Sequence, residues 1–107
     1  MSLEAYLTID GAVARIRLMG VLDEEAVPLL RSLLQQAVAH PVDRLVLRMD
    51  ALEDICVAGI RCLVATQQTM AEGTEMIFLD VQPGPEHKLR LAGLHRALGV
   101  LWAAVPA

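Results

Sequence analysis

MDALEDICVAGIRCLV (residues 49–64) is the stretch that decides the fold, because it joins a predicted strand to a predicted helix. The preceding run DRLVLRMD (43–50) is short, apolar and bounded by charge, which predicts a central strand buried on both faces over residues 45–47. After the joint, Ile60, Leu63 and Val64 recur with helical spacing. We therefore expect a helix from about Val57 to Ala71, with Gly73 as its C-cap.

Upstream of this joint, the sequence predicts a hairpin and a helix. AYLTID (5–10) and AVARIRLMG (12–20) alternate apolar and polar residues around Asp10-Gly11, which favours two antiparallel strands. DEEAVPLLRSLLQQAVAH (23–40) changes to helical spacing, and the helix should begin near Ala26, with Pro28 in its first turn, and end before Pro41. Its predicted inner face comprises Val27, Leu30, Leu34, Ala37 and Val38.

Downstream, the pattern predicts another buried strand and a last helix. TEMIFLDV (74–81) is the strand, QPGPEH (82–87) a loop, and HKLRLAGLHRAL (87–98) an amphipathic helix with Leu91, Leu94 and Leu98 inward. The apolar end ALGVLWAAVPA (97–107) is interpreted as a final strand or a docking segment. This alternation predicts an α/β fold, with residues 1–107 as one domain and a mixed sheet of four or five strands covered by amphipathic helices.

Composition excludes several classes of function. The net charge is −4, aromatic residues make up 3% and Lys88 is the only lysine, which argues against nucleic-acid binding. No apolar run is long enough to insert into a membrane and no signal-peptide pattern is present, so we expect a cytoplasmic protein. Cys56 and Cys62 are too far apart on a helix to form a disulfide, which predicts reduced thiols.

The sequence also lacks the residue patterns of catalysis and metal binding. His40, His87 and His95 fall in three separate elements, so no metal site is predicted. No nucleophile–base pair stands out, so we expect neither an enzyme nor a cofactor site. Cys56 leaves two interpretations open. A helix N-terminus stabilises a thiolate, which would suit a redox sensor, but a small residue filling a tight loop is the interpretation that we favour.

Three stretches in register resemble the STAS domain family of bacterial anti-sigma factor antagonists. LMGVLDEEAVPLLRSLL (18–34) resembles the family's strand, Gly-x-Leu-Asp and helix; RLVLRMDALEDICVAGIRCLV (44–64) resembles its central strand, loop and helix; and GTEMIFLDVQPGPEHKLRLAGLHRAL (73–98) resembles its last strand and helix. The resemblance implies a protein-interaction module that binds a kinase-type anti-sigma factor (GHKL ATPase-like) and so regulates transcription. In the family, the kinase phosphorylates a Ser or Thr at the start of the second helix.

The chain departs from the family at the phosphorylation motif Asp-Ser-Ser/Ala-Gly. Cys56 takes the position of its Asp and Val57 that of its phosphorylated Ser, whereas Ala58 and Gly59 match. Arg48 replaces an Asp, and Asp50 replaces a Ser. Val57 has no hydroxyl, so the resemblance predicts no phospho-acceptor at this position and binding that is not switched by the family's phosphorylation.

The predicted partner-binding residues lie around this motif: Leu22, Asp23, Asp50, Cys56, Val57, Ala58, Gly59, Ile60 and Arg61. Arg48 and Arg61 are expected near the joint, where they could form ion pairs with Asp50 or Glu53. Three alternatives stay open: an accessory subunit that holds the ABC-type ATPase of a membrane transport complex, a redox sensor using Cys56, and a homodimeric scaffold formed through the apolar tail.

Overall fold

The structure, a computed structural model, describes residues 3–104 and contains five strands and three α-helices in that range. In chain order they are β1 (Glu4–Asp10), β2 (Val13–Leu22), a 3₁₀ turn (Glu24–Ala26), α1 (Val27–Val38), β3 (Arg44–Ile55), α2 (Val57–Thr69), β4 (Glu75–Leu79), α3 (Pro83–Leu91) and β5 (Val100–Ala103). The strands form one mixed sheet in the order β1-β2-β3-β4-β5. The predicted α/β fold is therefore confirmed.

The predicted hairpin opens the fold. Strands β1 and β2 pair antiparallel, from Glu4 opposite Met19 to Asp10 opposite Val13. The turn between them passes through Gly11, whose φ of 60° lies in the left-handed region that glycine adopts at little cost. All later neighbours in the sheet pair parallel.

Three crossovers carry the chain across the sheet, always to the next strand in the same direction. Since such crossovers are right-handed, α1, α2 and α3 all pack on one face. On this helix-covered face, side chains of the three inner strands are fully buried, among them Ile16 on β2, Leu47 on β3 and Phe78 on β4. Side chains one position along each strand point to the opposite, open face, which no described helix covers.

The prediction that β3 is buried on both faces over residues 45–47 is wrong. Leu45 and Leu47 are fully buried, but Val46 between them is only half-buried and Arg48 is exposed. The cause is the topology: a sheet whose crossovers all run one way has helices on one side only. An apolar run cannot distinguish a strand covered twice from one whose second face is partly open.

Helix α3 differs most from its prediction. It begins at Pro83, inside the predicted loop, because the first-turn amides of a helix need no intrahelical acceptor and prolines are tolerated there. It ends at Leu91, and Gly93, at φ 84°, lets the Leu94 amide donate to the Leu89 carbonyl at 3.2 Å. Leu94 is buried as predicted, but Leu91 and Leu98 are 76% and 93% exposed, so the prediction that they face inward is wrong.

Smaller differences lie at other helix ends. Helix α2 ends at Thr69 rather than Ala71, so Gly73 belongs to the following turn and not to the cap. Val38, at the end of α1, is exposed, whereas the rest of the predicted inner face of that helix is buried.

The tail forms β5 as the predicted final strand, and its last three residues, 105–107, lie outside the described residues. Between residues 3 and 104, no helix has the length and apolar character needed to cross a bilayer.

Candidate functional site

The joint between β3 and α2 is built around Cys56, which is the N-cap of α2. Its backbone is extended, with φ −80° and ψ 164°, and its amide donates to the Leu22 carbonyl at the end of β2 at 2.9 Å. Its Sγ atom accepts a hydrogen bond from the Gly59 amide at 3.4 Å. Because sulfur is a weak acceptor, this is a weak form of the cap that Asp, Ser or Asn normally provides.

Gly59 lets α2 approach the sheet closely. A Cβ atom at this position would lie 2.4 Å from Leu22 Cδ2 and 3.2 Å from Ile55 Cγ1. Leu22 and Ile55 are fully buried, and Ile60 is 7% exposed. Three of the predicted partner-binding residues, Leu22, Gly59 and Ile60, are therefore packed and position the helix start rather than present a surface.

Val57 is the exposed apolar residue at this helix start, with 63% of its surface accessible. Ala58 and Cys56 beside it are half-buried, and Arg61, one turn further on, is exposed. Asp23 adjoins Cys56 because the preceding residues, Leu22 and Ile55, are register partners. We call Asp23, Cys56, Val57, Ala58 and Arg61 the α2-start surface.

Acidic residues border the α2-start surface. Asp23 Oδ1 accepts a hydrogen bond from the Ala26 amide at 3.1 Å, which caps the 3₁₀ turn. The next two residues, Glu24 and Glu25, are exposed, and so is Glu53 on the last part of β3. The arrangement is an apolar centre with a charged rim, as in many protein–protein interfaces.

Lys88 on α3 contacts the end of β3 next to the joint, and the sequence analysis did not predict this contact. Its Nζ atom lies 2.6 Å from Asp54 Oδ1 and donates to the Ile55 carbonyl at 3.2 Å. The hydrogen bond from Lys88, together with one from the Ile55 amide, holds the pKa of Asp54 below its ordinary value. The available signal is weak: Lys88 is the only lysine, and it lies in the predicted last helix with no acidic partner nearby in sequence beyond Glu86.

Asp50 is not brought together with the α2-start surface. It lies six residues before Cys56 on β3, which corresponds to a separation of up to about 20 Å along an extended strand. Its carboxylate is on the open face, 3.0 Å from Arg48 Nε and 3.6 Å from Arg17 Nη2. The predicted Arg48–Asp50 ion pair is confirmed, while Arg61 has no ion-pair partner within residues 3–104.

The groups at the joint that could carry chemistry are two thiols. Cys56 and Cys62 are both free thiols, as predicted, and Cys62 faces the Arg31 side chain of α1 at 3.9 Å. In the part of the chain that is described, no group of three or more His, Cys, Asp or Glu side chains is arranged to hold a metal ion.

Comparison with known proteins gives a consistent result for the fold. The STAS domain pattern matches residues 5–105. An anti-sigma factor antagonist from Mycobacterium paratuberculosis superposes with a TM-score of 0.83 at 21% identity, over 94% of this chain and 86% of that one. The anti-sigma factor antagonist SpoIIAA in its unphosphorylated form gives 0.72 at 18% identity, over 99% and 90% of the two chains.

The phosphorylated form of SpoIIAA, described as a Bacillus cell fate determinant, gives a TM-score of 0.73 at 20% identity, over 94% of this chain and 91% of that one. No curated protein sequence matches the chain.

Proposed function

The chain belongs to the STAS domain family, and from that premise we propose that it is a non-enzymatic interaction module that binds a kinase-type anti-sigma factor through the α2-start surface. The observation that carries the proposal is Val57. It is 63% exposed at the helix start, where an isolated domain gains nothing from an exposed branched apolar side chain. Burying it against a partner would be favourable.

The site supports binding that does not depend on phosphorylation at this position. Val57 offers no hydroxyl to a kinase, and the N-cap position before it holds the thiol of Cys56 instead of a carboxylate. In a chain with a serine here, an added phosphate would bring about two negative charges into the interface. Here the interface stays apolar, so the complex would be constitutive or controlled by another signal.

The partner would meet an acidic rim. Glu24 and Glu25 directly follow Asp23 and are exposed, and the only basic member of the α2-start surface is Arg61. We expect basic side chains on the partner around an apolar pocket that receives Val57. Such charge matching raises association rates and selects partners more than it raises affinity.

The test uses the purified domain and each kinase-type anti-sigma factor encoded in the same genome, with binding measured by isothermal titration calorimetry. We expect one of them to bind equally well with and without ATP. Val57→Asp should weaken binding at least about tenfold, because it places a charge in the centre of the interface. Leu98→Asp is the matched control, since Leu98 is 93% exposed and its carbonyl accepts a hydrogen bond from Gln67, near the opposite end of α2 from Val57.

Two results would overturn the proposal. One is that no anti-sigma factor binds. The other is that Val57→Asp and Leu98→Asp change the affinity by the same factor.

The missing hydroxyl also suits a second candidate, an accessory subunit that holds an ABC-type ATPase, because that role needs no phosphate. The ABC-type ATPases of the same genome are therefore titrated in parallel, and binding to one of them alone would replace the first proposal by the second.

A further inference from the structure

The open face of the sheet carries a concentration of arginines that the α2-start surface does not explain. Four of the nine basic residues of the chain lie there: Arg15 and Arg17 on β2, and Arg44 and Arg48 on β3. Carboxylates share this face, namely Glu4 and Asp10 on β1, Asp50 on β3 and Glu75 on β4, so the face as a whole is balanced and the positive charge is local. A depression lined by charges of one sign attracts groups of the opposite sign.

Three of these arginines surround one depression. A cavity of about 350 Å³ is lined by Tyr6, Thr8, Arg15, Ile16, Arg17, Val46, Arg48 and Leu79. Its floor is apolar, from Val46 and Leu79, and no carboxylate lines it. Tyr6, Arg17, Arg48 and Leu79 are successive register partners, so they form a row across four strands.

The charge of the arginines that line the depression is only partly neutralised within the described chain. Asp50 is the acidic partner of both Arg17 and Arg48, and the side chains of these arginines remain 42% and 45% exposed. Arg15 has no ion-pair or hydrogen-bond partner among residues 3–104. Three guanidinium groups and one carboxylate leave a local formal charge of +2.

The open face also has the apolar character of a surface that is normally covered. Parallel strands such as β2 to β5 are usually packed on both faces of their sheet, whereas the helices described between residues 3 and 104 all lie on one face. Tyr6 is 57% exposed and Leu101 on β5 is 47% exposed, and Ile77 and Leu79 between them are half-buried. A helix laid across this face would supply the missing second layer.

We propose that the open face binds an acidic amphipathic helix of a partner protein, whose apolar side chains enter the depression while its carboxylates pair with Arg15, Arg17 and Arg48. Arginine is suited to this because its planar guanidinium group pairs with a carboxylate through two parallel hydrogen bonds. The surface is separate from the α2-start surface, since α2 packs on the other face of the sheet. One molecule can therefore hold two partners, or two parts of one partner.

The observations favour an acidic protein segment over a nucleic acid or a lipid surface. Tyr6 is the only aromatic ring that lines the depression, so successive bases have no stacking platform. Aliphatic side chains between the arginines suit leucines on a helix face.

The test is a titration followed by ¹H–¹⁵N NMR, with a synthetic helical peptide of about 18 residues as the probe. The peptide carries leucines on one face and Glu or Asp on both flanks. A control peptide replaces each Glu by Gln and each Asp by Asn. We expect shifts of the Tyr6, Arg15, Val46 and Leu79 amides with the acidic peptide, and weaker binding of the control peptide.

Matched protein variants separate a local effect from one of total charge. The double variant Arg15→Gln/Arg48→Gln should raise the dissociation constant about 4- to 25-fold, from about two- to fivefold per exposed pair removed. Arg31→Gln/Arg96→Gln changes the net charge equally at exposed positions away from this face and should leave the affinity within about twofold.

The proposal would be overturned by unchanged spectra at millimolar peptide, by shifts confined to other residues, by equal binding of the control peptide, or by equal losses in the two double variants. It would also be overturned if a single-stranded DNA 12-mer or phosphatidylserine vesicles shifted the same amides while the acidic peptide did not. These outcomes are independent of the anti-sigma factor titration, which uses the other face.

Discussion

The two faces of the sheet contrast sharply although they are built from alternate residues of the same strands. On the helix-covered face, Leu47 pairs in register with Ile16 and Phe78, and all three are completely buried. On the open face, the adjacent Val46 pairs with Arg15 and Ile77 and remains partly accessible. The covered face therefore contributes most of the stability, and the open face is available for recognition.

The largest expected effect comes from breaking the covered face. Leu47→Ala should lower the free energy of unfolding by about 2–5 kcal/mol, since it removes buried methyl groups and leaves a cavity. Val46→Ala, one residue away, should cost only about 1 kcal/mol, because Val46 is half-buried and Arg15, one of its two register partners, is exposed. Urea denaturation of both variants measures the difference.

Equal losses in these two variants would contradict the assignment of an open face. They would imply that Val46 is covered in solution, for example by a second copy of the chain. Repeating the denaturation at several protein concentrations tests this, because the stability of an assembly depends on the concentration of its subunits.

The same contrast explains what the sequence could and could not predict. Alternation in AYLTID and AVARIRLMG fixed the hairpin, because one face of those strands is polar enough to be recognised. In LVL, residues 45–47, both faces are apolar, so the pattern could not reveal that one of them is open. Which face is covered depends on the direction of all three crossovers, which is a property of the whole chain.

The ends of the helices are set by glycine and proline, whereas the prediction followed the spacing of the apolar residues. Leu91, Leu94 and Leu98 have helical spacing, yet Gly93 ends the helix and only Leu94 faces the core. Likewise, Pro83 and Pro85 were interpreted as loop residues, although both fit the first turn of a helix. Glycine and proline at these positions carried more information about the boundary than the leucines.

The candidate site could be located from the sequence but not resolved into its parts. The motif positions from Cys56 to Arg61 lie together as a helix start, whereas Asp50 lies elsewhere on the open face. The division into the exposed Val57 and the packed Gly59 and Ile60 required three-dimensional information, because it depends on the approach of Leu22 from another strand. The contact from Lys88 is long-range and leaves no local pattern.

A second prediction concerns the closest contact on the covered side. Gly59→Ala should cost about 1–3 kcal/mol of unfolding free energy, because the new methyl group would lie 2.4 Å from the buried Leu22 side chain. Gly84→Ala is the control: its Cβ meets only the Glu53 carbonyl oxygen, at 3.8 Å, and the helix propensity of alanine is offset because this residue precedes Pro85. Thermal unfolding should show a clear loss of stability for Gly59→Ala and little change for Gly84→Ala.

If both glycine variants were equally stable, α2 could not lie as close to β2 as the structure has it. If both were destabilised, the first turn of α3 would need the conformational freedom of Gly84. Crystal structures or amide shifts of the Gly59→Ala variant would show displacement at Leu22 and Val57 before elsewhere, which links packing on the covered side to the α2-start surface.

The smallest expected effect is at the exposed edge of the joint, where α3 meets the end of β3. Lys88→Met keeps most of the aliphatic length but removes the charge near Asp54 and the donor to the Ile55 carbonyl. Both side chains are substantially exposed, at 43% and 55%, so the loss in unfolding free energy at neutral pH should be only about 0.2–1 kcal/mol. Arg31→Met, on α1, is the control for removing an exposed cation.

The pH dependence of that loss has a definite sign. The pKa of Asp54 is lowered in the folded protein from its ordinary value of 3.8. Its ion pair with Lys88 therefore stabilises the fold fully above about pH 4. This stabilisation is lost as the pH falls below 3.8 and through the lower pKa of the folded state. The stability difference between wild type and Lys88→Met should therefore be constant near neutrality and should shrink below about pH 4. An NMR titration of the Asp54 carboxyl carbon should show its pKa rising in the variant, though not entirely to 3.8, because the Ile55 amide still donates to Oδ1 at 2.9 Å. An unchanged Asp54 pKa would mean that Lys88 does not reach the joint in solution, and this polar link between α3 and the end of β3 would then be absent.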